Sequence, residues 1–327
     1  MGGITQRAAA ALPGLTAFAI LTAVASDQGG YFRSTWGWTG IALAWVGLVT
    51  LILRQRIGLS RALGALFAVA AGVVSWTFLS ALWADDGSIA VREGERAALY
   101  LVAVIVVALI SRPGGALQWA GGSLAAASAV AAYALARAAL FTGARRPDPY
   151  EGFHLSRPLG YANALGIFCA LGLVAAVGVV AERTGGGRGA AAGAAAVFLA
   201  AALSLTSSRG AWIALAVALA VLVTVSADRI NVLASGVALA PAAGAAVTAC
   251  LLTRLQRTQP PLATATEGRA LAAGIVMLGV LGAVIVPRAQ PALARRIARI
   301  AGRLPPPMVR ALPVMVAVGA ALAVAVA

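Results

Sequence analysis

The sequence predicts an all-α, polytopic transmembrane helix bundle, and three observations carry that expectation. Hydrophobic residues make up 61% of the 327 and charged residues only 11%, against about 25% charged in a soluble domain. The mean hydropathy is +0.92. Long apolar runs recur along the whole chain rather than marking one anchor, which is the pattern of repeated membrane crossings. So few charges cannot cover the surface of a water-soluble fold of this length, so soluble enzymes and soluble binding modules are excluded. The chain reads as one transmembrane domain, 1–327.

A crossing helix needs about twenty apolar residues. On that measure about eleven spans are predicted, at roughly 9–26, 36–53, 61–83, 97–111, 114–140, 158–181, 190–207, 210–226, 230–252, 269–287 and 311–327. The first follows Arg7 and ends near Ala23-Val24-Ala25, a pattern like a signal-peptidase site. With further spans behind it, it reads as an uncleaved first helix. The fourth and seventh are short, and only Ser207-Ser208-Arg209-Gly210 separates the seventh from the eighth, which predicts a tight helical hairpin.

All 25 basic residues are arginine, and the net charge is +15. In a membrane chain this points to arginines at helix ends meeting anionic headgroups, and not to nucleic acid. With the N-terminus in the cytoplasm, 14 arginines fall on the inner side and 10 outside, with Arg137 left within a span; that excess sets the predicted orientation. The last inner loop, 288–310, is basic, partly amphipathic and ends in Pro305-Pro306-Pro307; it is expected to be a cytoplasmic interfacial segment, with a partner-binding helix the second reading. The sequence stops at Ala327 inside an apolar run, so the last span is expected to be cut there, the chain being either a fragment of a longer protein or a truncated gene product.

Cys169 and Cys250 sit in apolar runs without a CxxC or metal-ligand spacing, and read as small buried hydrophobes. A single histidine excludes a histidine-rich metal site. No metal and no cofactor are expected.

Two stretches break the apolar run. His154-Leu-Ser-Arg157-Pro-Leu-Gly160-Tyr161-Ala-Asn163-Ala-Leu-Gly166 enters the sixth span, and Leu203-Ser-Leu-Thr206-Ser-Ser208-Arg209-Gly210-Ala-Trp212 joins the seventh to the eighth. Both arginines are placed at the outer water–lipid boundary, where a guanidinium can fork onto phosphate oxygens. Ser208 and Gly210 leave backbone N–H groups at a helix start, a second anion-friendly feature. Asn163 is placed to meet a sugar hydroxyl or a neighbouring helix. Arginines beside membrane helices also snorkel to headgroups without further function. His154 stands in a polar loop with no base, nucleophile or orienting carboxylate beside it, so no catalytic residue is assigned.

The ordered set Arg157-Pro-Leu-Gly-Tyr-Ala-Asn163-Ala-Leu-Gly166, then Ser208-Arg209-Gly210, resembles the bacterial O-antigen ligase and polymerase superfamily over roughly residues 60–230, and Leu79-Ser-Ala-Leu-Trp83-Ala-Asp85-Asp86 ahead of Arg92, Glu93, Glu95 and Arg96 is similar to that family's outer loop. The resemblance implies a GT-C-like bundle in the cytoplasmic (inner) membrane. It implies metal-independent inverting glycosyl transfer at the outer face from a glycan on an undecaprenyl pyrophosphate carrier, with Arg157 and Arg209 gripping the pyrophosphate. The expected partners are that lipid-linked glycan, an acceptor of unknown identity and membrane lipids. The family also carries a large outer loop with a catalytic histidine, and no histidine follows His154. The chain is therefore expected to hold the carrier-binding half and to be inactive in transfer by itself. The alternative function is a transporter, or a non-catalytic binder of lipid-linked substrates on the same scaffold. A scaffold bundle without chemistry explains the composition but leaves the ordered motifs unexplained.

Overall fold

The computed structural model describes residues 2–53, 60–111, 115–141, 153–182, 186–256 and 264–303, and for 2–10 and 53 only the backbone. These residues form ten α-helices: α1 (Gly2–Ser26), α2 (Arg33–Leu53), α3 (Arg61–Leu79), α4 (Gly87–Ile110), α5 (Ala116–Leu140), α6 (Ala162–Ala181), α7 (Gly186–Leu205), α8 (Arg209–Val225), α9 (Arg229–Leu252) and α10 (Ala265–Ala301). No strand occurs among the described residues. Seven helices among them (α2, α3, α5, α6, α7, α9 and α10) are long and apolar enough to cross a membrane. That is the build of a multi-pass membrane protein.

Each of the first ten expected spans coincides with one helix. The eleventh, 311–327, lies outside the described residues, as do Arg54, Arg56, Arg112, Arg145, Arg146, Arg183, Arg257, Arg310 and the triple proline. Two expectations about loops are corrected. The charged stretch Arg92, Glu93, Glu95 and Arg96, read as an outer loop, lies in the first turns of α4. Asp86 starts that helix by accepting the Ser88 N–H at 2.9 Å, and Glu, Arg and Ala are good helix formers whatever their polarity. The basic stretch read as a loop from Arg288 is helical as far as Ala301, because α10 runs on through Pro287 and Pro291. Its 37 residues give about 55 Å of helix, well beyond the roughly 30 Å of a hydrocarbon core. Thr264 and Glu267 cap its start reciprocally, at 3.2 and 2.9 Å.

The described residues fall into two compact units, one within Met1–Pro13 and Gly30–Ala116, the other within Gly14–Gly29 and Leu117–Ala327. In the first, α2 and α4 run parallel: Arg33 donates to both carboxylate oxygens of Glu95 at 2.9 Å, and Gly47 faces Val106. The Phe78 ring of α3 covers Gly94 of α4. In the second unit α7 is central, with thirteen of its twenty residues buried. Small residues let its neighbours approach. Gly172 of α6 lies against Leu199 of α7 and Ala127 of α5. Gly193 of α7 and Gly282 of α10 meet backbone to backbone, and a Cβ on Gly282 would sit 2.7 Å from the Gly193 carbonyl oxygen. Close backbone approach through glycine is how helices pack where lipid gives no hydrophobic incentive to associate. Cys169 and Cys250 are free and buried in this packing.

Candidate functional site

The second unit brings the two polar motifs together at one end, where α7 finishes and α6 and α8 begin. Two observations establish this. The Leu155 N–H donates to the Leu205 carbonyl at 2.8 Å, tying the loop before α6 to the last residue of α7. One turn into α6, Gly166 faces the α7–α8 turn: a Cβ there would lie 2.9 Å from Ala211 Cβ and 3.1 Å from both Ser208 Cβ and Thr206 Oγ1. Gly166 is thus the contact point at which the first motif seats on the second.

Local chemistry shapes each piece. Phe153 and Leu155 are buried anchors, and Ser156 accepts the Gly160 N–H at 2.9 Å. Gly160 has φ +84, a left-handed conformation that suits glycine and turns the chain into α6. The α7–α8 connection is a tight turn, but the helical hairpin the spacing predicts does not form: α8 leaves α7 at the turn and packs chiefly on α6. Thr206 donates its hydroxyl to the Leu203 carbonyl at 2.7 Å and accepts the Ser208 N–H at 3.3 Å. Ser207 takes φ +53. Ser208, 3% exposed, caps α8 by accepting the Ala211 N–H at 3.2 Å.

Arg157 lies two residues beyond Leu155, and Arg209 is the first residue of α8; both are exposed. Among the described residues neither guanidinium forms an ion pair or hydrogen bond. No side chain caps α6 at Tyr161, and Gly210 is exposed with open space around its Cα. Two helix N-termini and two exposed arginines thus lie at this end of the unit, groups whose positive character is chemically suited to an anion. Asn163 is exposed and donates to the Tyr161 hydroxyl at 2.7 Å, a bond within its own turn rather than to a neighbouring helix. His154 is half-buried between Phe153 and Leu155. Among the described residues no group of His, Cys, Asp and Glu is arranged to hold a metal ion.

One part of this end was not read from the sequence. The turn after α1 lies against the Arg157 loop: a Cβ on Gly29 would be 3.6 Å from the Leu159 carbonyl, and one on Gly160 would be 3.6 Å from Gln28 Oε1. Gln28, Gly29 and Gly30 all have positive φ. The Gly29-Gly30 pair is the signal that marks a turn there, although nothing in it points to Leu159.

No protein family, curated protein or solved structure matches the chain.

Proposed function

We propose that this end of the molecule binds the pyrophosphate of an undecaprenyl-linked glycan at the outer face of the cytoplasmic membrane, in an O-antigen-ligase-like glycosyltransferase or its N-terminal part. The orientation is N-terminus inside, with about eleven crossings of a GT-C-like bundle. The observation that carries the reading is the seat of Gly166 on Ser208 and Ala211. It joins the motif containing Arg157 to the one containing Arg209, and both motifs resemble the same family in the same order.

In this reading the acceptor hydroxyl oxygen attacks the anomeric carbon, its proton passing to solvent water, as the bond from that carbon to the pyrophosphate oxygen breaks, with inversion. Charge gathers on the departing pyrophosphate. Two guanidinium groups and the α6 and α8 N-termini stabilise that charge as it develops, which is where fixed positive groups accelerate a reaction most.

The test is donor binding by the purified chain in nanodiscs with undecaprenyl pyrophosphate. Arg157→Lys and Arg209→Lys keep the charge but lose the two-pronged fork, and each is expected to weaken binding by about ten- to a hundredfold, the worth of one charge-assisted hydrogen bond. Wild-type affinity in both folded variants overturns the proposal.

A further inference from the structure

α10 carries its own membrane boundary. Between Arg269 and Arg288, both exposed, the 18 residues 270–287 contain no polar side chain. They make about 27 Å of helix, close to the roughly 30 Å of a hydrocarbon core. The neighbouring helix agrees on the level. A Cβ on Gly189, in the first turn of α7, would lie 3.4 Å from Pro287 Cβ, which puts the exposed Arg188 beside the same boundary. This is the end of α7 opposite Arg209.

Beyond the boundary α10 runs on to Ala301 and becomes basic on one side only. Arg288, Arg295, Arg296, Arg299 and Arg303 are exposed; the first four fall within about 100° of one another around the helix, and Arg303 follows its last turn. Val286, Gln290 and Ala294, on the opposite side, are each at most 3% exposed. No acidic residue follows Glu267, and among the described residues none of the five arginines meets a carboxylate. Arg288 and Arg299 donate to carbonyls of their own helix, Val284 at 2.6 Å and Arg295 at 3.4 Å. Toward the membrane the same face is apolar and open, at Met277, Leu281 and Ile285.

We propose that α10 from Arg288 to Arg303 docks on anionic phospholipid, its guanidinium groups on the headgroup phosphates of the leaflet at this end of the unit. In the orientation proposed above that leaflet is the cytoplasmic one. The dock is independent of the pyrophosphate reading. Two features favour a bilayer over a soluble acidic partner. The arginine face continues the lipid-facing strip of Met277, Leu281 and Ile285, so lipid already lies alongside it. Ile300, exposed among the arginines, gives these turns the apolar group of an interfacial helix. The lengths also set a posture. Arg288 to Ala301 spans about 20 Å, against about 6 Å of headgroup layer on each side, so an upright α10 would hold Arg299 clear of the phosphates. The arginines face away from α7, and inclining α10 away from the bundle lays them on the surrounding headgroups.

The experiment measures hydrogen exchange over residues 292–303 of the full chain in two nanodiscs, one of phosphatidylcholine and one of phosphatidylcholine mixed with phosphatidylglycerol. Exchange is expected to be about tenfold slower in the mixed disc, since each arginine near an anionic surface is worth about fivefold. Salt at about 1 M shortens the screening length to about 3 Å and removes most of the difference. Arg295→Gln combined with Arg299→Gln keeps good helix formers and is expected to leave at most about a twofold difference. Equal exchange in the two discs for the wild-type chain overturns the proposal, whatever the variant does. Polyglutamate that slows exchange in the phosphatidylcholine disc as strongly as phosphatidylglycerol does also overturns it, and assigns the stripe to a soluble acidic partner. A difference undiminished in the folded double variant removes the arginines from the contact and overturns the proposal as well.

Discussion

The two units of this chain solve the same problem, apolar helices in an apolar solvent, in different ways. In the first, α3 has no buried residue at all, and Trp38, Trp45, Ile52 and Trp76 are each more than 60% exposed. Its helices meet at a few points: the Arg33–Glu95 pair at 2.9 Å and Gly47 against Val106 join α2 to α4, and the Phe78 ring of α3 covers Gly94 of α4. In the second, helices close on one another through glycine and alanine, and Leu165, Leu199 and Leu203 are fully buried. Tight packing is what holds a loop in a single place, and both candidate arginines are carried by the tightly packed unit. The contrast teaches where a small-residue change will be felt and where it will not.

The largest expected effect comes from making one substitution in both units. Gly193→Ala puts a methyl against the backbone of Gly282, 2.8 Å from its carbonyl carbon. Neither helix backbone can give way locally, so a loss of about 3 kcal/mol is expected. Gly72→Ala in α3 meets nothing within 4 Å and removes a flexible residue from a helix interior, so a gain of about 0.5 kcal/mol is expected. Thermal unfolding of the two variants in the same detergent checks the pair. Equal shifts would break the distinction between the units.

Gly166→Ala is smaller in stability and larger in function. Its new Cβ meets only side-chain atoms, of Ala211, Ser208 and Thr206, so the turn is displaced by a few tenths of an ångström. A cost of about 1 kcal/mol is expected, together with about a tenfold loss of undecaprenyl pyrophosphate affinity as Arg209 moves away from Arg157. Wild-type affinity with an intact fold would separate the packing of the two motifs from their function.

How much of this was legible follows from what each feature depends on. Helix positions were legible because the requirement for about twenty apolar residues is local and composition meets it plainly. The start of α4 was not, because charges such as Arg92 and Glu95 read as a loop when apolar length is the only measure, although Asp86 carries a helix start. The continuation of α10 was obscured by Pro287 and Pro291; each ring removes one backbone donor, yet the helix runs on through both. Arg157 and Arg209 were legible as motif residues. The seat of Gly166 on Ser208 was not, because it is a contact between residues about forty positions apart. The approach of Gln28 to Gly160 was hidden for the same reason.

The smallest expected effect concerns how the units cap their helices. Asp86 accepts both the Ser88 hydroxyl, at 2.6 Å, and its N–H, and these bonds, the hydroxyl's first, lower the carboxyl below its ordinary value of 3.8. A lowered value means that the folded state favours the carboxylate. Its support of α4 is therefore complete well above 3.8 and is lost as pH falls through the lowered value. The cap of α8 in the second unit is a serine, which does not titrate in this range. Asp86→Asn keeps a capping acceptor but has no proton to bind. Hydrogen exchange at the first amides of α4, compared between pH 6 and pH 3, is expected to accelerate beyond its intrinsic pH dependence in the wild type and not in the variant, while the first amides of α8 follow the intrinsic dependence in both. The same acceleration in the variant would show that something other than the Asp86 carboxylate secures that helix start.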